Sequence, residues 1–289
     1  MKNIIKISAI LTAFIFLWTS CDKIDCPCTE GGSGGATGDT IRKVLLEDFT
    51  GHKCVNCPQA HKIAADLQKV YGKQLIVVAI HAGIFAKPKA APFNNDYRTP
   101  EGNSLYSAFG VSSTPIGMVN RVKQPNGGYL VDKGAFATEV SKQIDSLPKE
   151  PDVYIELKST FNSTDSTLKV ESTITFLKDL PSGKYNYSIM VIEDDIIAAQ
   201  SNNDPLIGAT PTIPDYHHKH MLRGMLTAAL GDEILNAAPS NGQQIKKTYA
   251  NYKLKNGVVP DNCKIVAFVS YADGPEEYRI IQAEEIDLK

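Results

Sequence analysis

The stretch that most constrains the fold is Leu46-Glu47-Asp48-Phe49-Thr50-Gly51-His52-Lys53-Cys54-Val55-Asn56-Cys57-Pro58. It reads as a buried strand, a sharp turn carrying two cysteines, and the start of a helix. From Pro58 to Tyr71 the residues Ala60, Ile63, Ala64, Leu67, Val70 and Tyr71 recur at helical spacing, so one face is apolar. Leu75-Ile76-Val77-Val78-Ala79-Ile80 follows, a continuous apolar run of the kind buried on both faces of a parallel sheet. A C-x-x-C at the strand-to-helix turn of a βαβ unit is the redox reading of the motif. The zinc reading needs a second C-x-x-C or an H-x-x-x-H, which the sequence lacks, so no metal and no cofactor is expected.

The chemistry explains the placement. A thiolate is the attacking species, and a helix N-terminus lowers a cysteine pKa from ~8.5 toward neutrality. Cys54 is the candidate attacking sulfur and Cys57, inside the helix, the resolving one. His52 and Lys53 are expected to add donors or positive charge beside them. Asp48, six positions before Cys54, is a candidate proton acceptor whose pKa burial would raise. Two plainer readings stand beside these: a fixed disulfide stapling the turn of an exported protein, and a solvated strand-end acid at Asp48 or Glu47.

Length and charge bound the rest. The chain has 289 residues, enough for one or two domains, and a formal net charge of −2 with no basic stripe, which argues against a nucleic-acid partner. Lys2 and Lys6 precede an apolar run from Ile7 to Trp18, too short to span a bilayer, and then Thr19-Ser20-Cys21. This resembles a bacterial lipobox, which makes residues 1–21 a signal peptide and Cys21 the lipidated residue that ties the protein to a membrane. Residues 22–39, with Gly31-Gly32-Ser33-Gly34-Gly35, read as a flexible tether. Cys26 and Cys28 within it receive no role.

Residues 40–148 make the first expected domain. A short helix is expected between Tyr97 and Phe109, opened by Thr99-Pro100-Glu101. Val111-Ser112-Ser113-Thr114-Pro115-Ile116 then leads into a strand, and Val131 to Leu147 supplies a closing helix. The order strand, C-x-x-C, helix, strand, helix, Thr-Pro, strand resembles thioredoxins. By that resemblance Pro115 is cis, Thr114 faces Cys54, and the two hold a substrate peptide. Lys53 departs from the family's aromatic residue before the first cysteine, and Val55-Asn56 from its Gly-Pro. The long segment from His81 to Arg98 is expected to form a lid or ridge beside the cysteines.

After Pro148-Lys149-Glu150-Pro151 the period changes to alternation. Strands are expected over Asp152–Phe161, Thr167–Phe176, Tyr185–Ile192, Lys264–Tyr271 and Tyr278–Ile286, an antiparallel immunoglobulin-like sandwich over residues 151–289. The middle, Gln200 to Asn241, reads as irregular with a short helix around Leu226 to Ala237. His217, His218 and His220 invite a metal reading, but neighbours on a strand point to opposite faces, so packing against the other domain is the simpler expectation. Cys263 reads as a core thiol.

The fold class is therefore an α/β thioredoxin-like domain followed by an all-β immunoglobulin-like sandwich. A lipoprotein signal, Thr50-Gly51 with Cys54, Asn56, Cys57 and Pro58, the Ser113-Thr114-Pro115-Ile116 element and a histidine-rich stretch before Leu222-Arg223-Gly224 together resemble the 28-kilodalton outer-membrane lipoprotein family of Bacteroidetes. That resemblance implies a lipid-anchored outer-membrane location and a protein or peptide partner. Two functions follow: thiol–disulfide exchange on exported proteins, or surface binding and adhesion with the first domain as scaffold. An exposed Cys54 sulfur favours the first, a covered one the second.

Overall fold

In the computed structural model residues 41–289 are described; the signal segment, Cys21, Cys26, Cys28 and the tether lie outside them. β1 (Val44–Thr50) runs through the cysteine turn into α1 (Cys57–Tyr71), then β2 (Leu75–His81) and the one-turn helix α2 (Gly83–Ala86). α3 (Pro100–Ala108) starts where expected, with Thr99 Oγ1 accepting from Gly102 N at 2.9 Å. β3 (Ile116–Val119), β4 (Val131–Asp132) and α4 (Phe136–Ile144) follow. Val131 pairs with Gly117, which takes the first residues of the expected closing helix into a strand and leaves that helix shorter.

The back half is built of strands: β5 (Val153–Asn162), β6 (Thr167–Phe176), β7 (Lys184–Glu193), β8 (Ile196–Ser201), β9 (Thr212–His218), β10 (Met221–Met225), β11 (Asp232–Asn236), β12 (Gln244–Lys253), β13 (Cys263–Tyr271) and β14 (Ile280–Asp287). No helix spans Leu226 to Ala237. A turn closed by Gly231 N donating to Ala228 O at 2.9 Å, with Gly231 at φ +88°, delivers β11 to the edge of β7, where Asp232 pairs with Tyr187. An open strand edge outweighed the local helical spacing.

The protein is mostly β-sheet with a few helices, and its main sheet is mixed. That nine-stranded sheet runs β14-β13-β7-β10-β2-β1-β3-β4, with β11 also on β7. β1 lies parallel to β2, and β10 joins β2 in parallel through Met221 opposite Ala79. The front and back halves therefore share one sheet, because β10 covers the edge of β2 that a free-standing front half would leave open. Ala79 N donates to His220 O at 2.8 Å across this join.

Period-two alternation distributes the apolar residues among three cores. Val44 and Leu46 of β1 with Val77 of β2 face α1 and α4, whereas Leu45, Phe49, Val78 and Ile80 face α3 and the Met190 and Ile192 side of β7. The opposite face of β7 and β13, with Tyr187, Ile189, Ile265 and Ala267, packs on the three-stranded sheet β12-β6-β5 through Ile155, Val170 and Ile174. Strands buried on both faces need continuous apolar sequence, and β2 and β13 have it.

Candidate functional site

α1 begins at Cys57 and its N-cap residue, Asn56, makes no side-chain cap. Cys54 and Cys57 form a disulfide with Cα atoms 5.4 Å apart. Gly51, at the start of the turn, packs so closely on α2 that a Cβ there would lie 2.4 Å from the Phe85 carbonyl carbon. Lys53 N donates to Phe85 O at 3.1 Å, so the His81–Arg98 segment does lie beside the cysteines.

The disulfide is covered. Cys54 is 3% exposed and Cys57 is fully buried. The strap formed by the end of β8 and the residues after it holds the turn: Gln200 Nε2 donates to Cys54 O at 2.9 Å and Gly51 O at 3.3 Å, Ser201 N to His52 O at 2.8 Å, and Asn203 N to Val55 O at 3.2 Å. Asn202 ties the strap to itself, its Nδ2 donating to the carbonyls of Asp204 and Gly208.

Both acids of β1 are buried, on opposite faces. Glu47 takes two hydrogen bonds from Arg121, Nε to Oε2 and Nη2 to Oε1, each 2.7 Å, and the guanidinium lies against the rings of Phe109 and Phe268. Asp48 has no hydrogen-bond partner at either oxygen, and burial pushes its carboxyl well above the usual carboxylate range. His61 Nε2 lies 3.7 Å from Oδ2. His61 bonds instead to Thr50 Oγ1 at 2.9 Å and, through Nδ1, to Tyr216 OH at 2.8 Å. Burial lowers the His61 pKa to about 4, so this imidazole is neutral at pH 7.

A ring cluster lies on the other side of the turn. His52 stacks on Phe93 with centroids 5.6 Å apart, and Tyr97 touches His52, His81 and His218 edge-on or tilted at 5.7, 5.7 and 5.8 Å. None of the six ring nitrogens of these histidines makes a hydrogen bond of good geometry, although the His52 ring lies near the Phe93 backbone and the His218 ring near those of Ala198 and Ala199. Burial lowers the pKa of His52 to about 4 and of His218 to about 3. His52 is thus neutral, which leaves Lys53 to carry any positive charge beside Cys54. Among the described residues no three His, Cys, Asp or Glu side chains are grouped to hold a metal ion. Alternation along β9 turns His218 inward and His217 outward. Cys263 opens β13 as a buried free thiol, its Sγ donating to Val259 O at 3.3 Å, and burial raises its pKa to about 12.

Thr114–Pro115 is cis. Ile116 pairs with Phe49, so Thr114 and Pro115 lie, half-buried, at the end of the sheet where β1 enters the cysteine turn. The large cavity of this region is elsewhere, over α1, bordered by Asp48, Pro58, His61 and Tyr216 and not by Pro115. His61, Tyr216 and Gln200 join the region around the cysteines without a motif to announce them. His61 carried a signal, since it falls four residues after Cys57 on the same helix face.

The sequence matches the family described as outer membrane protein Omp28 over residues 102–286. The chain belongs to that family. Membership places it at the outer membrane. Among solved structures, HBP35 of Porphyromonas gingivalis is similar with a TM-score of 0.62 at 20% identity, covering 87% of this chain and 76% of that one. Protein AGR_C_4864 from Agrobacterium tumefaciens gives 0.52 at 13% identity, covering 86% and 96%. A domain of the outer membrane lipoprotein Omp28 from Porphyromonas gingivalis gives 0.31 at 18% identity, covering 48% and 89%. The first two likenesses establish a shared fold. No curated protein matches significantly. Within the described residues of this Omp28-family chain no helix is long and apolar enough to cross a membrane.

Proposed function

We propose that this Omp28-family chain is anchored through a lipid on Cys21 and carries a thioredoxin-like module over residues 40–148 and an immunoglobulin-like sandwich over 151–289. The module exchanges disulfides with exported proteins. The observation that carries this reading is the unpartnered Asp48 carboxyl, buried on the strand that enters the cysteine turn. A buried acid with a raised pKa is a base matched to a thiol.

In the reduced protein the Cys54 thiolate attacks one sulfur of a substrate disulfide, and the other substrate sulfur leaves as a thiolate. Cys57 then passes its proton to the Asp48 carboxylate and attacks the Cys54 sulfur. The second substrate sulfur leaves, the Cys54–Cys57 disulfide forms, and two electrons have reduced the substrate. Thr114 and Pro115, both half-buried, are the surfaces that hold the substrate peptide, and the His52 ring, 1% exposed, joins them only when the covering strap lifts. Because Cys54 is 3% exposed, exchange requires the Gln200–Asp204 strap to lift.

That same coverage favours a second reading, a surface-binding or adhesion lipoprotein in which the disulfide is a fixed staple. Cys57→Ser in the full chain separates the two. Exchange leaves Cys54 joined in stable mixed disulfides to defined envelope proteins, whereas the staple leaves no adducts.

A further inference from the structure

Between α1 and the turn joining β9 to β10 lies a cavity of about 650 Å³. Ala64 of α1 and Val77 and Ala79 of β2 make its apolar inner wall. Asp48 borders it, 1% exposed and without a hydrogen-bond partner. Lys62, Lys69 and Lys219 stand around it. We propose that this cavity binds a small carboxylate with an apolar body and a hydrogen-bond acceptor at its far end. The site stands independently of whether the disulfide exchanges.

Size and lining both fit. Small-molecule sites occupy roughly 300–1,000 Å³, with apolar walls and a few convergent polar groups. Two bonds fix the cavity's walls relative to each other: the His61–Tyr216 bond of 2.8 Å ties α1 to β9, and His220 Nε2 with Gln68 Oε1 at 3.0 Å ties α1 to the turn before β10. The cavity is thus built by the fold before any ligand arrives.

Each end of the ligand follows from one group. Asp48 is buried without a partner at either oxygen, and burial favours its protonated form, in which it can donate. A buried donor left unpaired costs ~1–3 kcal/mol, and a ligand acceptor oxygen would relieve it. At the rim, Lys62 and Lys69 both bond Asp66, at 2.5 and 2.9 Å, which offsets part of their charge. Lys219, on the opposite side, is therefore the cation best placed to meet a carboxylate. The apolar body lies between, over Ala64, Val77 and Ala79.

The test is photolabelling of the full chain with 4-benzoylbenzoate, which joins a carboxylate, an aromatic body and a ketone acceptor, against its neutral amide 4-benzoylbenzamide. Ala65, exposed on α1 at the cavity wall, is replaced in Ala65→Trp to obstruct the opening without entering a core. We expect saturable labelling that maps to residues 58–69 and 206–220. It should fall roughly fivefold for the amide and for Lys219→Glu, and be lost in Ala65→Trp. Labelling spread over other segments, or undiminished in Ala65→Trp, overturns the site. Equal labelling by acid and amide overturns the carboxylate.

Discussion

β1 places two acids in succession, and its two faces treat them oppositely. Glu47 is closed by a bidentate guanidinium and capped by two aromatic rings; Asp48, one residue on, meets no partner and borders a cavity. The Glu47 face joins α3, β13 and the loop after β3, and its charge is matched internally. The Asp48 face lies under α1, where the cysteines are, and its carboxyl is left without a hydrogen-bond partner. Burial alone therefore does not mark a functional acid here. The missing partner is what sets Asp48 apart from Glu47.

Breaking the matched side should give the largest effect. Arg121→Met strands a buried carboxylate and should cost about 3–5 kcal/mol in denaturant unfolding, with most of that recovered in Glu47→Met/Arg121→Met.

On the unmatched side the sign reverses. Asp48 has a raised pKa in the fold, so the folded chain keeps a proton that the unfolded chain loses as pH rises above ~3.9. Its contribution to stability is intact at low pH and is eroded from there up to the folded pKa. Asp48→Asn should thus be more stable than the wild type at pH 7, and the gap should close toward pH 4 with a slope of at most ~1.4 kcal/mol per pH unit. Buried histidines cancel in this difference, because both proteins carry them. A pH-independent gap would contradict an ionising Asp48.

Gln200→Ala sharpens the comparison at the cysteines. It removes the donor shared by Cys54 O and Gly51 O and should speed reduction of the disulfide by dithiothreitol about tenfold, the change made by ~1.4 kcal/mol of easier opening. Tyr216→Phe should do least, costing ~1 kcal/mol in unfolding by removing the hydroxyl partner of His61.

What could be read from the chain followed its local patterns. The run Leu75–Ile80 announced a strand buried on both faces, and Pro58–Tyr71 the helix above it, because each element's environment is written in its own periodicity. The sequence left open whether Glu47 or Asp48 pointed inward; both do, since the sheet is covered on both faces. The strap and the cavity wall were not legible. Gln200 lies 146 residues from Cys54, and Tyr216 lies 155 from His61. Those meetings depend on β10 docking beside β2, which no local spacing encodes. The helix expected around Leu226–Ala237 failed for the same reason, since β7 offered an edge that a sequence window does not contain.

The exchange proposed for the covered Cys54–Cys57 pair is tested most directly by its reduction potential. Equilibrating the full chain against glutathione buffers measures it. A value above ~−300 mV, within reach of exchange with other proteins, is expected, and a value far below that would make the bond a structural staple.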